Sequence, residues 1–356
     1  MDLVDLASDT ATQPTPTMKR AMIDAALGDE QKGEDPTTTA LEHRVATLLG
    51  HERALLLPSA TMANQIALAL HAGAGDDVIA HRTSHVVHYE GGGTAMTSRA
   101  QVYALDTPRG VFRADDLLAA IRADDPHHPR TRAVVVENTS NVGGGTVWPV
   151  DVFDGVVDAA RAHGLAVHVD GARLWNAAVA LGLPVARLAR GTTTVQVCFS
   201  KGLGCPMGAV LALPSSLWPR ARRLKQAMGG ALRQSGLLAG AMLYALDHHV
   251  DRLADDHRRA RILAAAFAAL GGVDVEPVET NLVFFRVLGR DAGAVQAAML
   301  ARGVRVGAVS STVAPGPVRL RACLHLDVDD HGVARAVEAL ERALADVPLP
   351  PAATAG

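Results

Sequence analysis

The stretch Thr194–Gly208, "TVQVCFSKGLGCPMG", is an apolar run that ends in a single lysine, Lys201, with a turn of small residues behind it. A lysine charge is costly to bury, so a chain that places one there exposes it, pairs it or uses it chemically. Upstream, "LAVHVDGAR" (165–173) ends a second buried-looking run in Asp170, followed by a glycine and then Arg173. An acid and a lysine at neighbouring strand ends, with room for a helix between them, suit an open α/β sheet. In such sheets ligands bind beyond the carboxyl ends of the strands.

Outward from this pair the same alternation continues. "RALLLP", "DDVIAH", "QVYAL" and "RAVVVEN" read as strands, and "GAVLALP" as a further one after the lysine turn. Between them "TMANQIALALHAG" and "PVDVFDGVVDAARAHG" carry helical periodicity. The expected fold class is therefore α/β, with a mostly parallel sheet covered on both faces. From about Gly229 the texture changes to a long helical stretch running to Leu270, read as a bridge. Beyond it "NLVFFRV", "VRVGAV" and "VRLRACLHLDV" read as strands, and "DAGAVQAAMLARG" and "DHGVARAVEALERALAD" as helices. The expected division is a large unit over residues 1–245 and a smaller α+β unit over 246–356. The tail "VPLPPAATAG" is expected to fray.

Composition bounds the function classes. The chain has 356 residues, above the roughly 250–300 at which single cores stop growing. Its 34 basic and 37 acidic side chains give a net charge of −3 without a basic block, which argues against nucleic acid as a partner. No run reaches the roughly 18 apolar residues of a membrane span, and the start "MDLVDLASDT" has no signal pattern. Three scattered cysteines, Cys198, Cys205 and Cys323, suit neither a disulfide framework nor a four-cysteine zinc site. A cytoplasmic protein is the expectation.

Several constellations could carry chemistry. Pyridoxal phosphate (PLP) needs a lysine for a Schiff base and a carboxylate to keep its ring nitrogen protonated, and Lys201 with Asp170 would supply both. Taken singly, Asp170 could equally cap a helix and Lys201 lie on the surface. In "LLLPSATMANQIAL", Ser59, Ala60 and Thr61 open a helix whose free amides suit a phosphate, or merely form an ordinary cap. Arg233 in "MGGALRQSG" has the fork geometry for phosphate, or is simply solvated. "HRTSHVVHYE" holds His81, His85 and His88; a helix would put His81 and His85 on one face, but no carboxylate or cysteine pattern supports a metal, and none is expected. His85 as an aromatic plate over a cofactor ring, or as an acid/base group, is the better functional reading. "GGGTAM" lacks the endings of a nucleotide loop and reads as a tight turn.

Together "SDTATQP", "GDEQKGEDPTTTALE", "PSATMANQIAL", "SHVVHYEGGG", "VENTSN", "HVDGARLWNA", "SKGLGCPMG", "LRQSG" and "LHLDV" resemble the low-specificity L-threonine aldolases of the β-eliminating lyase group. The resemblance runs along nearly the whole chain. It implies the aspartate-aminotransferase-like fold type I, with PLP as cofactor, and an amino-acid substrate. L-threonine or L-allo-threonine would be cleaved to glycine and acetaldehyde; the alternative is a lyase or transaldolase acting on another β-substituted amino acid. It implies that Lys201 carries the cofactor, that Asp170 pairs with the ring nitrogen and that His85 stacks on the ring. Ala60, Thr61 and Arg233 would hold the phosphate, Arg233 from a neighbouring subunit of a homotetramer. Arg173 and Arg321, with Ser8, would bind the substrate carboxylate or a cofactor oxygen.

The chain departs from the family's pattern at four places. "ENTSN" has Ser140 where the family carries a histidine that approaches the β-hydroxyl, and serine is not a base near neutral pH. His85 or a water would then be the base. Lys32 replaces an aromatic residue, Gln226 a lysine near the phosphate, and Ala60 a glycine.

Overall fold

Alternating β-branched runs and amphipathic stretches build two sheets in the computed structural model, which describes residues 2–309, 312–314 and 316–349. The strands are β1 (Val4–Leu6), β2 (Arg53–Leu57), β3 (Asp77–His81), β4 (Gln101–Leu105), β5 (Thr131–Glu137), β6 (Ala166–Gly171), β7 (Thr194–Cys198), β8 (Ala209–Leu213), β9 (Val273–Val275), β10 (Leu282–Val287), β11 (Val304–Val309) and β12 (Arg319–Cys323). The larger sheet has the order β2-β8-β7-β6-β5-β3-β4. Strands β3 to β7 pair in parallel, and β8 is antiparallel to both its neighbours. The carboxyl ends of β3, β5, β6 and β7 therefore share one edge. Every residue of β3, β7 and β8 is buried, as expected of strands covered on both faces.

The helix Ala60–His71 covers part of one face, and the Ser59 side chain caps it by accepting from the Met62 amide at 3.2 Å. A large core runs from Met18 through Trp148 to Met242. The smaller sheet has the order β1-β11-β12-β10-β9, antiparallel except for β1 against β11. Its own core includes Phe267, Phe285 and Leu340. The first strand of the chain thus belongs to the second sheet, and residues 7–13 lead from it toward the first.

The long bridge is two helices, Gly236–His248 and Leu253–Ala269. The bend between them places the His249 ring where its Nδ1–H donates to the Leu203 carbonyl at 2.7 Å. Leu253 packs in the first core, whereas Ala260, Leu263 and Phe267 pack in the second, so one helix spans both. The strand read over "VRLRACLHLDV" ends at Cys323, because the Leu324 amide turns to the Asn281 carbonyl at 2.8 Å. Among the described residues no helix is long and apolar enough to cross a membrane. The alanine-rich end of the tail lies outside the described residues.

Candidate active site

The shared strand edge opens into a cavity of about 300 Å³ between the two sheets. Asp170 at the end of β6 and Lys201, three residues beyond β7, both line it. Asp170 is buried and caps no helix: its carboxylate accepts from the Asn64 side chain at 2.8 Å, the Gln196 side chain at 2.5 Å and the Ala172 amide at 3.1 Å. Burial alone would raise its pKa, but the charges at His85 and Lys201 and the bond from Gln196 hold it below the ordinary carboxylate range. It is an anion at neutral pH. Among the described residues the Lys201 amine makes no hydrogen bond or ion pair, and the residue is half-buried in the cavity wall.

His85 opens a short helix, His85–His88, after β3. His81 instead ends β3, where its ring bonds Thr83 and Thr107, so the two histidines share no helical face. The His85 ring lines the cavity, and its Nδ1 lies 2.9 Å from Glu90 Oε1. Burial opposes charging that ring, yet the bond to Glu90 and the nearby carboxylates of Asp170, Glu90 and Glu137 outweigh it and raise its pKa. Glu90 is itself raised, by burial first. A ring nitrogen of His85 and one carboxylate oxygen each of Glu90 and Asp170 lie within 4.8 Å of one another. The Asn64 amide bridges the two acids, donating to Glu90 at 2.7 Å.

Glu137 closes β5 on the same edge. Its two oxygens accept from the backbone amides of His85, at 2.6 Å, and Asn141, at 2.7 Å, so one carboxylate orients two loops of the cavity. Burial, with the Asp170 charge added, pushes its pKa up to about 7 against those amides.

Two arginines reach the cavity in different electrostatic states. Arg173 is buried and committed to Asp9 through two bonds of 2.7 Å. Burial would raise the Asp9 pKa, but the Arg173 charge and hydrogen bonds hold it far below the usual range. Arg321 donates only to neutral oxygens, the Ala7 carbonyl at 2.8 Å and Asn141 Oδ1 at 3.1 Å, and makes no ion pair among the described residues. Its charge is uncompensated. Arg319, on the same strand face, forms a bidentate pair with Glu276 and stacks over Phe284, and it lines a different cavity. Ser8 lines the site from the segment after β1, and its hydroxyl accepts from Thr10.

Not every expected residue converges. Ser140 is buried and does not line the cavity, although its neighbours Thr139 and Asn141 do. A Cβ placed on Gly110 would lie 2.0 Å from the Ser140 hydroxyl oxygen, which shows where that side chain points: away from the cavity, against Gly110. Arg233 lies outside the cavity, 62% exposed and paired with Asp29 at 3.1 Å. Ala60 and Thr61 do not line it either, but Ala60 stands one turn before Asn64 on the same helical face, and Asn64 touches Asp170. Asn64, Glu90, Glu137 and Gln196 carried no expectation.

The β-eliminating lyase family model matches residues 5–289. The chain belongs to the β-eliminating lyase family. Among the relatives of this lyase, the low specificity L-threonine aldolase of Escherichia coli O157:H7 is 38% identical over 327 residues, covering 92% of this chain and 95% of that protein. The solved threonine aldolase of Leishmania major has a TM-score of 0.81 at 24% identity and covers 95% of this chain and 98% of its own. A serine palmitoyltransferase solved with PLP has a TM-score of 0.73 at 19% identity, covering 95% and 86%. These likenesses show that the lyase has the fold type I architecture expected from its sequence.

Proposed function

We propose that the chain is a PLP-dependent aldolase that cleaves L-threonine and L-allo-threonine to glycine and acetaldehyde. The observation that carries this reading is the meeting, in one cavity, of a lysine and an arginine that make no ion pair among the described residues with an ionised buried aspartate. The aldolase names among relatives that cover nearly the whole chain support it.

The residues fit PLP. Lys201 offers a free amine for covalent attachment, Asp170 an anion for a protonated ring nitrogen, and His85 an imidazole for the ring face. The first turn of the helix Ala60–His71 offers amides for a phosphate. When bound there, PLP supplies an electron sink for the pair left on Cα when the Cα–Cβ bond breaks.

The chain's own residues do the rest. Arg321 binds the α-carboxylate, and Asn141, held by the same guanidinium, limits where that carboxylate sits. Fixing this end decides which bond at Cα is aligned for cleavage. His85 Nδ1–H is committed to Glu90, so in the neutral ring the Nε2 lone pair is left to take the proton of the β-hydroxyl. Ser140 takes no part from its place behind the cavity wall. Arg233 acts in the phosphate site of a second copy, within a homotetramer of dimers, because in its own chain it stands apart from the cavity.

The test is incubation of the PLP-supplemented protein with L-threonine and L-allo-threonine, measuring acetaldehyde and glycine. Both products are expected from at least one isomer and neither from Lys201→Ala. No product from either substrate would overturn the reading.

A further inference from the structure

Behind Asp170 lies a chain of buried polar groups that none of these roles uses. Asn64 has two N–H groups, and both face carboxylate oxygens, those of Asp170 at 2.8 Å and Glu90 at 2.7 Å. The reverse amide orientation would set three acceptors against one another, so the nitrogen must be on that side. Asn64 Oδ1 therefore faces His168 Nε2, at 3.0 Å. A carbonyl oxygen only accepts, so Nε2 carries the proton.

On the other side of the same ring, Nδ1 lies 2.9 Å from the Thr194 hydroxyl, which lies 2.9 Å from His71 Nε2. Burial outweighs the Asp170 charge and the Thr194 carbonyl and holds the fully buried His168 ring neutral, its pKa down at about 4. His71 is likewise kept neutral, by burial first and then by the Arg220 charge. Nδ1 of His168 must then accept, the Thr194 hydroxyl donates to it, and His71 donates to Thr194. Every donor in the row His71, Thr194, His168, Asn64 points toward Asp170.

We propose that His168 is a positioning residue: as the neutral Nε2–H form it locks the Asn64 amide so that one NH₂ bridges Asp170 and Glu90. Through that bridge it keeps the acid that serves the cofactor ring ionised and couples it to the His85–Glu90 pair. The step from Asp170 to the cofactor rests on the PLP reading above; the orientation of Asn64 does not. His168 and Asp170 stand two apart on β6, on one face of the strand, which is how a side chain one layer down can support the acid at the edge.

Two measurements test this. In ¹⁵N-histidine-labelled protein without added PLP, with the His168 signal assigned by its loss in His168→Gln, the ring is expected as the Nε2–H form and should not titrate between pH 5 and 8; an Nδ1–H form or a cation would overturn the proposal. In protein reconstituted with PLP, His168→Leu is expected to weaken cofactor affinity about tenfold, the effect of one net hydrogen bond. It should also move the pH midpoint of the bound-cofactor absorbance. His168→Gln, whose amide can still donate to Asn64, should recover most of both. A folded His168→Leu protein with wild-type affinity and midpoint would overturn the proposal. If that variant fails to fold, the tautomer in the wild-type protein decides. If even the wild type binds no PLP, the proposed function fails, while the tautomer still reports on Asn64.

Discussion

Arg321→Gln is the perturbation that separates charge from shape in this cavity. The arginine gives its two hydrogen bonds to neutral oxygens, the Ala7 carbonyl and Asn141, and glutamine could keep one of them. What is lost is an uncompensated positive charge. A unit charge about 4 Å from a substrate carboxylate contributes about 4 kcal/mol at an effective dielectric near 20. At about 1.4 kcal/mol per decade, kcat/KM should fall on the order of a thousandfold. Measured truncations of desolvated charge pairs, about 2–5 kcal/mol, bracket that figure. The assay is steady-state cleavage of L-threonine, or of whichever isomer is the better substrate, alongside a thermal melt. Folding should be little affected, because no buried carboxylate is left without its partner. A folded variant with kcat/KM within about threefold of wild type would refute the placement of the substrate carboxylate on Arg321, as a value resting on about 4 kcal/mol cannot shrink that far.

Asp9→Asn should act on stability first. It leaves Arg173 buried without its anion, at a loss of about 3–5 kcal/mol near neutral pH. The Asp9 pKa is depressed in the folded state, so its contribution is complete above the unfolded value near 4 and drains away as pH falls. Melting temperatures of the two proteins should therefore converge below pH 4, and a constant gap would contradict the assignment. Gly110→Ala should destabilise by about 1–3 kcal/mol, since Gly110 has φ near +78° and its new Cβ would meet Ser140 Oγ at 2.0 Å. Urea denaturation checks this, and an unchanged midpoint would mean that Ser140 does not pack as described.

The strand-end acid and lysine were legible because a polar residue closing an apolar run has few innocent uses. The same rule would have found Glu137 at the end of "RAVVVEN" and, applied inside a run, Gln196 in "TVQVC", which must find a partner because it is fully buried. Asn64 was not legible. It sits on an ordinary helical face, and its meaning comes from two carboxylates contributed by segments remote in sequence. Nor could strand alternation choose between Arg319 and Arg321, which share a face; Glu276 neutralises the first and leaves the second to the cavity. Ser140 was placed at the substrate by resemblance, whereas the turn from Asn138 to Asn141 sends alternate side chains inward and puts Thr139 and Asn141 there. The bridge was read as one helical stretch because the bend at His249 depends on a carbonyl from the lysine turn.

The short strand β1 imposes an order on synthesis. Its Asp5 meets Arg305 across 300 positions of chain, and Ala7 meets Arg321 across 314. A nascent chain emerging from the ribosome can assemble the parallel sheet, with Asp170 and Lys201 in place, while Val4–Leu6 still has nothing to pair with. The Arg321 side of the cavity can form only after β11 and β12 have been translated. Closing so long a loop is entropically unfavourable, though the penalty grows only logarithmically with length. On the proposed function, cofactor capture and substrate recognition should thus mature at different moments, and a ribosome-stalled chain ending near residue 300 would be expected to offer Lys201 without Arg321.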